Sequence, residues 1–140
     1  LRTDGRQPVG IGIGPALEAR DVLAVLRGAP DAPADLRARA LAVTGALLEL
    51  ALGTPPGQGL ALATQALDSG RAWAKFLAIC EAQGGFSEPG EAPFLAPVLA
   101  PRAGRIAAID NRRLAKVAKL AGAPGAALAG VVCTVRIGDA

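Results

Sequence analysis

The sequence predicts a mixed α/β chain, an α+β fragment in which a helical half is followed by a mixed half. Three observations predict it. Apolar residues recur at helical spacing between Pro15 and Gln83. Glycine, proline and acidic residues then crowd into positions 84–93 and interrupt that period. Beyond them come short apolar runs and one valine-rich alternating stretch, the pattern of strands.

Each element has its own signal. Gly5 to Pro15 carries too many glycines and prolines for a helix and reads as a glycine-rich loop. Pro15 suits the first turn of a helix, in which Leu17, Val22, Val25 and Leu26 form the apolar positions and Gly28 the stop. A second helix runs from Asp35 to about Leu52, with a stripe of Leu36, Ala40, Val43, Leu47, Leu50 and Ala51. Gly53-Thr54-Pro55-Pro56-Gly57 breaks it. A third helix covers Gln58 to Leu67 and a fourth Arg71 to Gln83, with Trp73, Phe76, Leu77 and Cys80 expected to face inward. Short loops between helices imply antiparallel neighbours. After the break, Phe94–Leu99 and Gly104–Ile109 read as strands. Asn111 is read as the cap of a helix from Arg112 to Leu120, and Gly130–Ile137 as a further strand.

Composition narrows the function classes. The 140 residues are 51% hydrophobic and 19% charged, which favours a folded core over disorder. The net charge of +3 comes from 15 basic and 12 acidic residues spread along the chain. A nucleic-acid surface would concentrate them and add stacking aromatics, so no nucleic-acid partner is expected. No apolar run reaches membrane-spanning length, and no membrane partner is expected. With no histidine, and with Cys80 and Cys133 far apart, neither a metal site nor a histidine-dependent catalytic set is expected. The two cysteines read as buried free thiols in a reducing cytoplasm. The absence of methionine, at position 1 as elsewhere, is what a truncated or processed chain would show.

The candidate sites are few. Gly10-Ile11-Gly12-Ile13-Gly14 precedes a helix, where backbone N–H groups and the helix end favour anions. The spacing is not that of a dinucleotide fingerprint, however, and no strand–helix–strand unit follows. Close backbone packing is the structural alternative. Asp4, Glu18 and Asp21 lie near that loop, and Glu18 falls where the helix dipole favours an acid. Arg112, Lys116 and Lys119 share one helix face, which reads as solvated.

Three stretches, taken in order, resemble the thymidine and pyrimidine-nucleoside phosphorylases. Thr3-Asp4-Gly5-Arg6-Gln7-Pro8-Val9-Gly10, with Gly12, Gly14 and Ala16-Leu17-Glu18, is similar to the family's glycine-rich passage into a helix. Asp35-Leu36 through Leu47-Leu48-Glu49-Leu50 to Ala66-Leu67-Asp68-Ser69-Gly70-Arg71-Ala72 and Phe76 resembles the helices that follow. Leu99-Ala100-Pro101 with Gly104, and on to Gly138-Asp139, resembles the opening of the family's C-terminal domain. The wording is nearest the long subfamily of thymidine phosphorylase-like proteins and AMP phosphorylases, which usually has arginine where this chain has Ile11.

The resemblance implies that residues 1–86 are the mostly helical C-terminal part of the phosphorylase α/β domain. It implies that residues 87–140 open a lipoyl-like C-terminal α+β domain and stop short. The implied reaction is phosphorolysis of a pyrimidine nucleoside to free base and pentose 1-phosphate, with no cofactor. Phosphate and nucleoside would be the partners of a homodimeric full-length enzyme. The catalytic residues are expected upstream of Leu1, so none is assigned here. Gln7, Gly10, Gly12 and Gly14 are the substrate-site candidates, as wall of the cleft. The rival within the family is AMP phosphorylase. The rival outside it is a lipoyl-like binding module, which would need a lysine at a hairpin tip, whereas Lys116 and Lys119 fall inside a helix.

Overall fold

The computed structural model describes residues 1–140, and contacts divide them into two units. One comprises Asp21–Glu88 together with Leu1. The other joins Arg2–Arg20 to Pro89–Ala140. The break at Glu88 falls inside the glycine- and proline-rich stretch. By contacts the opening segment groups with 89–140, because its strand finds its partner there.

In the Asp21–Glu88 unit, α1 (Pro15–Arg27) contributes its second half. Gly28, at φ 66°, ends the helix in the left-handed conformation that glycine adopts most easily. Its N–H reaches the Val25 carbonyl, and the Ala29 N–H reaches that of Ala24. The buried positions of α1 are Ala16, Asp21, Leu23 and Val25, while Val22 turns to solvent.

Helices α2 (Ala34–Leu52) and α3 (Gln58–Asp68) pack against each other. The expected stripe on α2 is not the packed face. Val43, Leu47 and Leu50 are exposed, and Leu41 and Gly45 are buried. Apolar residues surround α2, so periodicity alone does not choose a face. Glycine chooses it: Gly45 lies against Gly59, and a Cβ on Gly45 would come within 2.8 Å of the Leu60 nitrogen. The pair is strapped at both ends. The Arg37 guanidinium meets Asp68 at 2.6 Å. At the other end, the Glu49 carboxylate accepts the Gly57 N–H at 2.6 Å and the Gly59 N–H at 3.3 Å. An acid is thus placed at the N-terminus of a helix that has no side-chain cap of its own.

Helix α4 (Arg71–Ala82) buries no residue completely, so Trp73, Phe76, Leu77 and Cys80 are half-buried rather than interior. Its aromatics instead form a cluster. Trp73 stacks on Phe76 at 5.7 Å, and Phe86 stands edge-on to both. The Arg27 guanidinium lies 4.6 Å from the Trp73 ring centroid, and Glu88 pairs with it.

The other unit is built on a two-stranded antiparallel ribbon. β1 (Gly12–Ile13) pairs with β2 (Val131–Val132), Gly12 opposite Val132 and Ile13 opposite Val131. Of the expected strand Gly130–Ile137, only this part pairs in register. Phe94–Leu99 and Gly104–Ile109 form no regular strand. A strand needs a partner to satisfy its backbone, and the chain offers these runs almost none. The exception is Ile106, which exchanges backbone hydrogen bonds with Asp139 and Gly138.

Helix α5 (Asn111–Leu120) packs on both strands, and Ala118 is its buried residue. Its cap is Asp110, not Asn111: the Asp110 carboxylate accepts the N–H groups of Arg112 and Arg113, each at 3.0 Å. Asn111 begins the helix, and its side chain donates to the Gly5 carbonyl at 2.9 Å. No helix in the chain is long and apolar enough to cross a membrane.

Candidate functional site

The glycine-rich opening is held against the last turn of the chain. Gly12 and Gly14 are buried where no side chain fits. A Cβ on Gly12 would lie 2.6 Å from the Leu17 carbonyl carbon, and one on Gly14 would lie 2.5 Å from the Ala129 oxygen. Gly130 faces them with the same constraint, because a Cβ there would run into the Ile13 carbonyl. Glycine at these positions lets two backbones approach.

Side chains then clasp the two segments. The Gln7 Oε1 accepts the Ile137 N–H at 2.9 Å. The Arg136 guanidinium donates to the Gly10 carbonyl at 2.8 Å, and the Asp139 carboxylate accepts the Arg136 N–H at 2.7 Å. The Cys133 N–H reaches the Ile11 carbonyl at 2.8 Å and extends the pairing beyond the ribbon. Gln7, Gly10, Gly12 and Gly14 are therefore brought together, all facing residues 129–137.

This arrangement limits the chemistry of the loop. The N-terminus of α1 already holds a carboxylate: Glu18 Oε1 accepts the Gly14 N–H at 3.0 Å, while the Glu18 N–H donates to the Gly14 carbonyl at 2.9 Å. The place where an external anion would gain most from the helix end is filled by the chain's own acid. The other two nearby acids differ in setting. Asp21 is buried. Asp4 is exposed and holds Arg6 by a hydrogen bond and an ion pair at 2.8 Å, which pushes the Arg6 guanidinium pKa up and keeps it cationic.

Next to the clasp is an open hollow of about 540 Å³, lined by Gly5, Arg6, residues 107–112 and Ile137. Its charged groups are Arg6, Asp110 and Arg112. Two of them are already engaged: Arg6 is held by Asp4, and Asp110 caps α5. Arg112, Lys116 and Lys119 are exposed, as a solvated face would be. Cys133 is buried, with its thiol 3.5 Å from the Val135 carbonyl, and Cys80 is half-buried.

Sequence reasoning passed over Arg136, Asp139, Gly130 and Asp110. The signal for Arg136 was a single charge inside the apolar alternation Val131 to Ile137. Nothing local indicated that its acceptor lies at Gly10.

With this geometry in place, comparison with curated proteins shows what the chain is similar to. Nearly the whole chain is homologous to a stretch of proteins named as thymidine phosphorylases, which bears out the resemblance carried by the three motifs. It is 60% identical over 139 residues to "Putative thymidine phosphorylase" of Legionella pneumophila strain Paris, a match covering 99% of this chain and 27% of that protein. It is 64% identical over 137 residues to "Putative thymidine phosphorylase 1" of Acidovorax sp. strain JS42, covering 98% and 27%. The protein of that name from Cupriavidus necator is 60% identical over 139 residues, again with 99% and 27% covered. The chain thus spans 27% of the length of these relatives. No protein-family model matches it.

Proposed function

We propose that these residues are part of a nucleoside phosphorylase, a pentosyltransferase that cleaves thymidine or a related pyrimidine nucleoside with phosphate. The products are the free base and (deoxy)ribose 1-phosphate. The observation that carries the reading is identity of 58–64% along nearly the whole chain to proteins bearing that name. In the reaction an oxygen of orthophosphate forms a bond to C1′ as the bond to the base breaks, and the base leaves with the electron pair and takes up a proton. Catalysis of this kind rests on positioning the phosphate and stabilising charge on the departing base.

Within that enzyme, residues 1–86 belong to the large α/β domain and 87–140 open the C-terminal lipoyl-like domain. Gln7, Gly10, Gly12 and Gly14 contribute a wall of the cleft by fixing the backbone rather than by touching phosphate. The Glu18 carboxylate at the head of α1 supports this division of roles. Phosphate and nucleoside are the partners, the assembly is a homodimer and the compartment is the cytoplasm.

The test is turnover. The full polypeptide that carries this segment, incubated with thymidine and phosphate, should release thymine only when phosphate is present. The 140 residues alone should release none. No phosphate-dependent release from the full polypeptide would overturn the reading. Release of adenine from AMP without release of thymine would make the protein an AMP phosphorylase instead.

A further inference from the structure

Residues 92–101 read Ala-Pro-Phe-Leu-Ala-Pro-Val-Leu-Ala-Pro and carry no charge and no polar side chain. Phe94, Leu95, Val98 and Leu99 are 88%, 87%, 97% and 82% exposed. From Ala92 to Gly104 the main chain makes no hydrogen bond within the molecule. A linker meant for water is usually polar, and an apolar run this exposed marks an interaction surface.

The prolines give the run a direction. They stand at 93, 97 and 101, four apart. Each restrains the residue before it, Ala92, Ala96 or Ala100, to extended backbone. In an extended chain, alternate residues point their N–H and C=O groups to opposite edges. All three prolines therefore fall on one edge, where they remove the donors. The opposite edge keeps those of Phe94, Ala96, Val98 and Ala100. Proline on one edge only is the arrangement of a strand at the border of a sheet.

We propose that residues 93–101 are an edge strand that adds to a sheet supplied by the rest of the same polypeptide, pairing through Phe94, Ala96, Val98 and Ala100. The occupant is argued from length. The relatives align with 98–99% of the chain at 58–64% overall identity, yet the chain spans only 27% of their length, so in them this region sits in a much longer protein. Strand addition satisfies the unpaired backbone and covers the apolar side chains together. The proline edge then faces outward and blocks further growth of the sheet. This proposal depends on the length of the relatives and not on the phosphorylase reading, so loss of either leaves the other standing.

Residue-resolved amide hydrogen exchange on the full polypeptide tests it. The amides of Phe94, Ala96, Val98 and Ala100 should exchange at least about 100-fold more slowly than unstructured amides, and those of Leu95 and Leu99 should not. Fast exchange at all six would overturn the proposal, as would equal protection of both sets. Protection of the even set that disappears on dilution would also overturn it, since a second copy would then be the cover.

Discussion

The Gln7 side chain accepts the backbone N–H of Ile137 across 130 positions of sequence, at 2.9 Å. With Arg136 on Gly10, it decides which part of the chain the glycine-rich opening packs against. Replacing Gln7 by leucine leaves a half-buried N–H without its acceptor. The expected loss is about 1–3 kcal/mol. Urea unfolding should show it, and Gln7→Glu, which keeps an acceptor oxygen, should lose less. Equal midpoints for Gln7→Leu and the parent would remove the clasp from the account.

The contact between α2 and α3 makes a second prediction. A Cβ on Gly59 would run into the Gly45 carbonyl, which belongs to helix backbone and cannot swing aside. Gly59→Ala should destabilise by about 1–3 kcal/mol or more. Gly104→Ala meets nothing within 4 Å and should stay within about 0.5 kcal/mol of the parent. Thermal denaturation of the two variants side by side separates close packing from a general effect of losing glycine.

For α5, the capping atom is on Asp110. Asp110→Ala should lose about 1 kcal/mol and fray the first turn, where the amides of Arg112 and Arg113 lose their acceptor. Asn111→Ala gives up one exposed bond to Gly5 and should lose less. Amide exchange at 112 and 113 reads the difference directly. Faster exchange in the Asn111 variant than in the Asp110 variant would return the cap to Asn111.

Trp73 is half-buried, so Trp73→Ala should fall below the about 3–5 kcal/mol of a fully buried aromatic. Arg27→Met should preserve much of the apolar contact while removing the cation from above the indole. As the chain has one tryptophan, its fluorescence reports the change without ambiguity. An emission spectrum unchanged by Arg27→Met would place the guanidinium away from the ring.

The helices were legible because their signals are local. Pro15, Gly28, Gly53, Gly57 and Gly70 mark ends that the chain's own dihedral preferences enforce, and α1 to α4 begin and end within a residue or so of expectation. The strands were not, because pairing is decided far away. Val131 looks like any strand residue, but its partner is Ile13, inside a run so rich in glycine that it reads as loop. The face of α2 was missed for a related reason: hydropathy ranks Leu47 above Gly45, whereas packing rewards the residue that lets a second backbone approach. Among the site candidates, sequence found Gln7 and the glycines. It could not find Arg136 or Asp139, whose roles exist only once the segments meet.

The clasp also sets an order of events. Arg136 and Gly10 stand 126 positions apart, so their hydrogen bond closes nearly the whole chain into one loop. Such a closure costs entropy before the ribbon and clasp contacts between the same segments can offset it. Helices α2 and α3, joined by a short turn, need no such closure. During synthesis, residues 2–20 emerge long before residues 129–137 exist to receive them. The glycine-rich opening must therefore wait with its backbone unpaired until residues 129–137 have been made. Folding of this unit should be slow and nearly all-or-none, and most sensitive to changes at its two ends.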